Sequence, residues 1–179
     1  MCGGRGTRLG AAEKPLVEVC GVPMVEAVRR ALAASRVEQV YAVTAPHAPE
    51  TAALLDSPQV EAPGDGYVSD LQDALADDRV TEPVLTVAAD IPLLTAAAVD
   101  RALDAGTGAT TVAVPVGRKR ALGVSADTTF RADGRLLAPS GLNIVGAGEG
   151  LTVATDPGLA VNVNRPRDLR RARWLAASD

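Results

Sequence analysis

The chain has 179 residues, of which 47% are hydrophobic and only 2% aromatic, and its formal net charge is -4. This length predicts a single domain over 1–179. So few aromatic rings argue against base stacking, and the mild acidity argues against a nucleic-acid partner. Two cysteines are too few for a disulfide scaffold, and one histidine excludes a histidine-rich metal site. With no secretory signal and no apolar run that could span a bilayer, we expect a cytoplasmic protein.

Hydrophobic periodicity and turn residues divide the chain into alternating strands and helices. After an apolar run over 16–19 we predict, in chain order, a helix over 24–35, a strand over 39–44, a helix over 49–55, an extended piece at 60, a helix over 69–77, a buried strand over 83–89, a helix over 95–105 capped by Thr95, and a buried strand over 110–116. Residues 117–140 look irregular and are expected to run over the active face. Short strands over 142–145, 151–155 and 160–164 and a closing helix over 166–177 complete the chain.

This alternation predicts an α/β fold, a three-layer sandwich around a mainly parallel, Rossmann-like sheet. In such sheets ligands bind beyond the carboxyl ends of the strands. Asp90 follows a nearly continuous apolar strand, so its carboxylate is expected at that edge. It is a candidate Mg²⁺ ligand, because Mg²⁺ is commonly held by one or two carboxylates together with phosphate oxygens. The alternative is an N-cap or a turn-forming aspartate before Pro92.

The stretch from Cys2 to Gly10 combines four glycines with Arg5 and Arg8, and Lys14 follows. Glycine lets backbone amides crowd an anion, and the basic side chains add positive charge, so the stretch predicts a polyphosphate-binding loop. The alternative is a mobile glycine-rich chain end. The spacing fits neither the P-loop motif Gly-x-x-x-x-Gly-Lys-Ser/Thr nor the dinucleotide motif Gly-x-Gly-x-x-Gly.

The loop closely resembles the signature Gly-Gly-x-Gly-Thr-Arg-(Leu/Met), followed by Lys-Pro-Leu, of nucleotidyltransferases with the nucleotide-diphospho-sugar transferase fold. Further segments narrow the resemblance to archaeal-type GTP:adenosylcobinamide-phosphate guanylyltransferases, over nearly the whole chain. They are Glu13-Lys14-Pro15-Leu16, Gly21-Val22-Pro23-Met24, Gly66-Tyr67-Val68-Ser69-Asp70-Leu71, Ala89-Asp90-Ile91-Pro92-Leu93-Leu94, Pro139-Ser140-Gly141-Leu142-Asn143-Ile144-Val145 and Asn162-Val163-Asn164. The resemblance implies transfer of GMP from GTP to adenosylcobinamide phosphate, with Mg²⁺ as cofactor and pyrophosphate as the second product.

The same resemblance implies which residues hold the nucleotide. Arg8 would grip the departing pyrophosphate, and Lys14 would neutralise charge at the α-phosphate. Asp70 resembles part of the loop that meets the base, where its carboxylate could accept from guanine N1–H and N2–H₂; alternatively, this segment only ends a strand and starts a helix. The full set of implied nucleotide-binding residues is Gly3, Gly4, Arg5, Gly6, Thr7, Gly66, Tyr67 and Asp70.

The metal and acceptor sides follow in the same way. Asn164 lies where related transferases place a second polar metal ligand, with Asn162 as its companion; alternatively, Asn164 caps the closing helix. Gly141 and Asn143 lie where relatives contact the acceptor. The basic run 118–120 would meet the acceptor's phosphate or form a solvated loop.

In this fold a buried strand precedes the glycine loop, whereas here the sequence begins at Met1. We therefore expect either a start upstream of Met1, which we favour, or a gap in the middle of the sheet. The rival functions are a molybdenum-cofactor guanylyltransferase, a sugar-1-phosphate nucleotidyltransferase and a non-catalytic nucleotide-binding module, and the presence of Lys14 and Asp90 argues against the last. For assembly the sequence leaves a homodimer open.

Overall fold

The computed structural model describes residues 1–3, 9–10, 13–106 and 108–178. Five residues of the predicted phosphate loop, Gly4, Arg5, Gly6, Thr7 and Arg8, lie outside the described residues. The described helices are α1 (Met24–Ala33), α2 (Pro49–Leu54), α3 (Tyr67–Leu75), α4 (Ala96–Ala105), α5 (Val116–Ala121) and α6 (Pro166–Ala176). The described strands are β1 (Glu18–Val19), β2 (Val22–Pro23), β3 (Ala42–Thr44), β4 (Gln59–Glu61), β5 (Val84–Val87), β6 (Thr110–Pro115), β7 (Phe130–Ala132), β8 (Arg135–Val145) and β9 (Gly150–Val153).

The centre of the molecule is a five-stranded sheet with the order β5-β8-β6-β9, in which β7 also pairs with β8. Strand β8 is antiparallel to both β5 and β6, and β6 is parallel to β9. Strands β3 and β4 form a separate parallel pair. The predicted α/β fold is therefore confirmed. Strands β5, β6 and β9 run in one direction, and β8 runs in the opposite direction between β5 and β6. None of the described helices is long and apolar enough to cross a membrane.

A gap in the sheet, one of the two expectations from the sequence, lies between β3 and β5. Met1 and Cys2 bridge its carboxyl-terminal end. The Met1 nitrogen donates to Val87 O at 3.0 Å, Ala89 N donates to Met1 O at 3.2 Å, and Cys2 N donates to Val43 O at 2.8 Å. Beside these contacts, the space between β3 and β5 is a cavity of about 530 Å³ with mostly apolar lining. Whether a segment precedes Met1 stays a prediction.

Alternate side chains of β3 define the three layers. Ala42 clusters with Val25 of α1, whereas Val43 clusters with Ala74 of α3. Because successive strand residues point to opposite faces, α1 and α3 lie on opposite faces of the sheet. The largest core cluster joins α1 and α4 to the central strands, and its buried members include Val28, Val99, Val112 and Leu142.

The prediction that residues 117–140 are irregular is wrong. These residues contain most of α5, all of β7 and the first part of β8, which is one strand of 11 residues. Strands β7 and β8 meet at Asp133 and Gly134, with φ of 48 and 72. Positive φ at both turn residues is typical of a tight hairpin. Pro139 and Gly141 interrupt the apolar pattern, so β8 does not look like one strand in the sequence.

The predicted strand over 160–164 is also wrong. Gly158–Ala160 forms a 3₁₀ turn, and the following residues have no strand assignment. Val161 and Val163 are buried in the core and alternate with asparagines, which imitates a strand. The asparagine side chains instead bond to other side chains near Asp90, as described below.

Candidate active site

Lys14 joins two of the predicted site residues. Its Nζ donates to Asp90 Oδ2 at 2.6 Å and to Asn164 Oδ1 at 2.7 Å. The side chains of Lys14 and Asp90 are only 15% and 17% exposed, so the ion pair is partly shielded from water. Two acceptor oxygens from different parts of the chain therefore converge on one cation position.

Glu13 fixes the backbone that carries Lys14. Its carboxylate accepts from the hydroxyl and the amide of Thr51, both at 2.6 Å, and from the amide of Glu50 at 3.0 Å. Burial raises the pKa of Glu13, but these hydrogen bonds outweigh burial, and its pKa lies below the usual 4.5. Glu13 thus ties the 3₁₀ turn Lys14–Leu16 to the first turn of α2. No role was expected for it from the sequence.

Asp90 lies in the turn that follows β5. Its backbone oxygen accepts from Val163 N at 2.8 Å, and its Oδ1 lies 3.4 Å from the Asn162 Nδ2 donor. The cap of α4 is Thr95, as predicted, because its hydroxyl accepts from Ala98 N at 3.2 Å. The Asp90 carboxylate is therefore directed to Lys14 and Asn162.

Asn164 does not use its side chain to cap α6. The N-cap residue is Arg165, and the buried carboxylate of Asp168 accepts from the amides of Asn164 and Arg165 at 3.1 and 2.9 Å. Asp168 also accepts from the amide and hydroxyl of Ser125 at 2.8 and 2.7 Å. The Asn164 side-chain oxygen is consequently directed to Lys14. Asp168 occupies the third helical position, where an acid is a known helix-start signal, so it could have been found.

Lys119 contradicts the expectation of a solvated basic run over 118–120. The side chain is 3% exposed, and its Nζ donates to Ala160 O at 2.9 Å and Asn162 Oδ1 at 2.7 Å. Burial lowers its pKa, partly offset by the negative charges of Asp90, Asp168 and Asp127. Only the flanking Arg120 is exposed, while Arg118 is half-buried.

A cleft of about 180 Å³ lies beside Lys14 and Asp90. Its lining also includes Gly3, Gly66, Tyr67 and Asp70. Asp70 is buried, and its Oδ1 accepts from Gly64 N at 2.9 Å. Helix α3 begins at Tyr67 after Gly66, whose φ is 131, and the Tyr67 hydroxyl bonds to Thr86 Oγ1 at 3.0 Å. The described part of the predicted nucleotide site therefore lies around one cleft.

The two predicted acceptor residues lie at different places. Gly141 has φ of +89, and a Cβ there would come within 3.1 Å of Asn162 Nδ2. Gly141 thus packs against Asn162, next to Asp90. Asn143 lies further along β8, between Thr86 of β5 and Thr111 of β6.

The two oxygens that surround the Lys14 ammonium could also bind a hard cation. Asp90 supplies a carboxylate oxygen and Asn164 an amide oxygen, and both already accept from one ammonium. Within the described ranges, there is no group of three or more His, Cys, Asp or Glu residues that could hold a metal. A cation held by Asp90 and Asn164 would complete its coordination with oxygens of the substrate, and this is how Mg²⁺ is commonly bound.

Comparisons with known proteins place the chain in a family. The chain is 28% identical over 197 aligned residues to the adenosylcobinamide-phosphate guanylyltransferase of Methanocaldococcus jannaschii, covering 100% of this chain and 96% of that protein. A hypothetical transferase from Thermus thermophilus has a TM-score of 0.73 at 21% identity, covering 94% and 96% of the two chains. Molybdopterin-guanine dinucleotide biosynthesis protein A from Archaeoglobus fulgidus has a TM-score of 0.59 at 16% identity, covering 99% and 97%.

The two structural likenesses show the fold, and the fold class agrees with the nucleotide-diphospho-sugar transferase type expected from the sequence. The family model for the MobA-like NTP transferase domain matches residues 1–162, which include the glycine loop, Lys14, Asp90 and Asn162. The chain therefore belongs to the MobA-like NTP transferase domain family and is a nucleotidyltransferase.

Proposed function

We propose that this nucleotidyltransferase transfers GMP from GTP to adenosylcobinamide phosphate, giving adenosylcobinamide-GDP and pyrophosphate. The observation that carries the reaction type is the convergence of Asp90 and Asn164 on Lys14 beside the cleft. The choice of substrates is supported by the full-length relative from Methanocaldococcus jannaschii, which is named for this reaction.

The proposed reaction needs no protein nucleophile. An oxygen of the acceptor phosphate attacks the α-phosphorus of GTP, and a new P–O bond forms. The bond from the α-phosphorus to the oxygen that bridges to the β-phosphate breaks, and pyrophosphate leaves with the electron pair. An ionised acceptor phosphate brings its own lone pair, so no general base is required. Positioning and charge stabilisation therefore carry the catalysis.

Lys14 is the described residue best placed to stabilise the charge at the α-phosphate. Its ammonium lies at the cleft beside Asp90 and Asn164, and a cation taken up by these two oxygens would leave the ammonium free to contact the phosphate. Asp90 and Asn164 would hold Mg²⁺, which supplies positive charge to the phosphate oxygens when bound. Arg8 and residues 4–7 keep their predicted roles on the triphosphate.

Base recognition is proposed for the turn that precedes α3. Asp70 already accepts from the Gly64 amide, and its second oxygen faces Gly3, where a Cβ would lie 3.0 Å from Oδ2. The carboxylate therefore fixes this turn and lies against Gly3. Guanine N1–H and N2–H₂ would meet either the Asp70 carboxylate or the carbonyl oxygens of the turn that it orders.

The test supplies each of the four common ribonucleoside triphosphates with Mg²⁺ and adenosylcobinamide phosphate and measures pyrophosphate. We expect release with GTP, and a product with the mass of adenosylcobinamide-GDP. The Asp90→Asn variant, purified in parallel, controls for a contaminating transferase. Release only when the acceptor is molybdopterin, mannose-1-phosphate or glucose-1-phosphate would overturn the proposed acceptor. GTP binding without transfer to any of these acceptors would favour a non-catalytic module.

A further inference from the structure

Lys119 is a buried charge that the proposed reaction does not use. Of the lysine and arginine residues that the structure describes, it alone is buried. A buried ammonium is strongly unfavourable unless it is paired and hydrogen-bonded. Its two acceptors, Ala160 O and Asn162 Oδ1, are neutral and tie α5 to the segment that leads to Asn164, while the charges of Asp90, Asp168 and Asp127 also favour the ammonium.

The bond from Lys119 determines which way the Asn162 amide faces. An ammonium can only donate, so it must meet Oδ1, and Nδ2 must then face the other way. On that side Nδ2 donates to Ser140 O at 2.9 Å and lies 3.4 Å from Asp90 Oδ1. In the flipped amide, the Nδ2 donor would face the Lys119 donor, and Oδ1 would face two acceptor oxygens. Lys119 and Ser140 O therefore select one orientation together, Lys119 through Oδ1 and Ser140 through Nδ2.

The orientation of Asn162 bears on Asp90. The two carboxylate oxygens of Asp90 have separate partners, with Oδ1 toward Asn162 and Oδ2 toward Lys14. A half-turn of the carboxylate would only exchange two equivalent oxygens, but a partial rotation would move the oxygen that faces Lys14 away from the cation position. An Nδ2 donor beside Oδ1 opposes this rotation, whereas an amide oxygen in its place would favour it through repulsion.

We propose that Lys119 is a positioning residue for nucleotidyl transfer: it fixes the Asn162 amide, which in turn orients the Asp90 carboxylate toward Lys14 and the cation. The inference rests on the metal role of Asp90 in the proposed function. Partners that orient metal-binding side chains commonly change metal affinity or activity by about 10- to 100-fold when mutated. The competing explanation is a purely structural role, in which Lys119 only joins α5 to Ala160 O.

The direct test measures Mn²⁺ binding by electron paramagnetic resonance, with α,β-methylene GTP present and no acceptor. We expect Lys119→Met to weaken Mn²⁺ binding about tenfold or more, because Asn162 Oδ1 loses its donor and the amide is then held only through Nδ2. Arg135→Met is the matched control, because it removes the same unit of charge from an exposed position of β8. Unchanged Mn²⁺ affinity in a folded Lys119→Met protein would overturn the proposal.

A double-mutant cycle separates the two explanations. If Lys119 acts through Asn162, adding Lys119→Met to Asn162→Ala should weaken Mn²⁺ binding by no more than about twofold further. If Lys119→Met weakened Mn²⁺ binding as much in the Asn162→Ala protein as in the wild type, the proposal would be overturned and the structural role favoured. Asn162→Ala keeps the bond from Lys119 to Ala160 O, so it serves if Lys119→Met does not fold. Unchanged Mn²⁺ affinity in Asn162→Ala would also overturn the proposal.

Turnover gives a second readout. At saturating Mg²⁺ we expect Lys119→Met to lower kcat at least about tenfold, with KM for GTP within about threefold, because Lys119 lies behind Asp90 and away from the base. The Mn²⁺ titration needs no acceptor. If adenosylcobinamide phosphate is not a substrate but the Mn²⁺ differences remain, only the proposed acceptor is overturned. A wild-type protein that binds no Mn²⁺ with the nucleotide would overturn the Lys119 assignment.

Discussion

Lys14 donates to Asp90 Oδ2 at 2.6 Å across a separation of 76 residues in the sequence. Each partner is complementary to a part of the proposed substrate complex, because a phosphate competes with Asp90 for Lys14 and a cation competes with Lys14 for Asp90. Binding of a metal–nucleotide complex would therefore replace one ion pair by two attractive contacts, one between Lys14 and a phosphate and one between Asp90 and the cation. The exchange keeps the partly buried site close to charge balance, which avoids leaving an unpaired charge.

Replacing Asp90 by asparagine should abolish most of the turnover. Asp90→Asn keeps the shape of the side chain but removes the charge that pairs with Lys14 and would hold the cation. We expect kcat to fall by about 100-fold or more, as when a group that stabilises transition-state charge is removed. The kcat of Arg8→Ala should fall by a comparable factor. Pyrophosphate release at saturating GTP measures both, and a loss in Asp70→Ala equal to these two would contradict the division of roles.

Replacing Asp70 should mainly alter base preference. Asp70→Ala removes the acceptor of the Gly64 amide, so the turn before α3 loses its fixed conformation. We expect the preference for GTP over ATP in kcat/KM to fall about tenfold, with kcat for GTP within about threefold. Asp73→Ala, at an exposed position of the same helix, is the control. An unchanged preference in Asp70→Ala would show that the base is read elsewhere.

The residues of the site that could be predicted lie in local patterns. Lys14 belongs to a motif that follows the glycine loop, and Asp90 ends a strand that is apolar enough to be recognised as buried. The direction of the Asn164 side chain could not be predicted, because it depends on Asp168 taking over the cap of α6. A cap and a ligand look the same in the sequence.

Buried charges were the main features that the sequence did not indicate. Lys119 lies between two arginines and looks solvated, yet its partner Asn162 is 43 residues away. Glu13 pairs with Thr51, 38 residues away. Such pairs depend on tertiary contacts, so neither periodicity nor composition reveals them. The same limit explains β8, whose pairing with three strands overrides the proline and glycine in its sequence.

Glu13→Gln should destabilise the protein in a pH-dependent way. The folded-state pKa of Glu13 lies below 4.5, so its ionised form contributes stability that is complete above the unfolded pKa and is lost as the pH falls through the folded pKa. At pH 7 we expect a loss of about 1 to 3 kcal/mol in the free energy of unfolding, because a buried carboxylate that accepts hydrogen bonds is replaced by a neutral amide. Urea unfolding at several pH values measures this loss.

The difference between the wild type and Glu13→Gln should become smaller as the pH falls below 4.5. Glu61→Gln, at an exposed position of β4, is the control for a general loss of negative charge. A constant difference between pH 7 and pH 3.5 would mean that the hydrogen bonds of Glu13 do not depend on its ionisation.

Alanine at Gly141 should affect activity beyond its effect on stability. Gly141 and Gly148 have nearly the same φ, +89 and +87, so this φ should cost alanine about 1 to 2 kcal/mol of unfolding free energy at either position, and at Gly141 the approach to Ala88 Cβ at 3.2 Å adds to the cost. Only at Gly141 does the added Cβ meet the site, at 3.1 Å from Asn162 Nδ2; at Gly148 it meets nothing within 4 Å. A displaced Asn162 would misplace Asp90, so we expect Gly141→Ala to lower kcat about tenfold or more and Gly148→Ala to stay within about twofold. Thermal unfolding and pyrophosphate release on the two variants separate strain from contact, and equal activity in both would show that the Asn162 amide tolerates displacement.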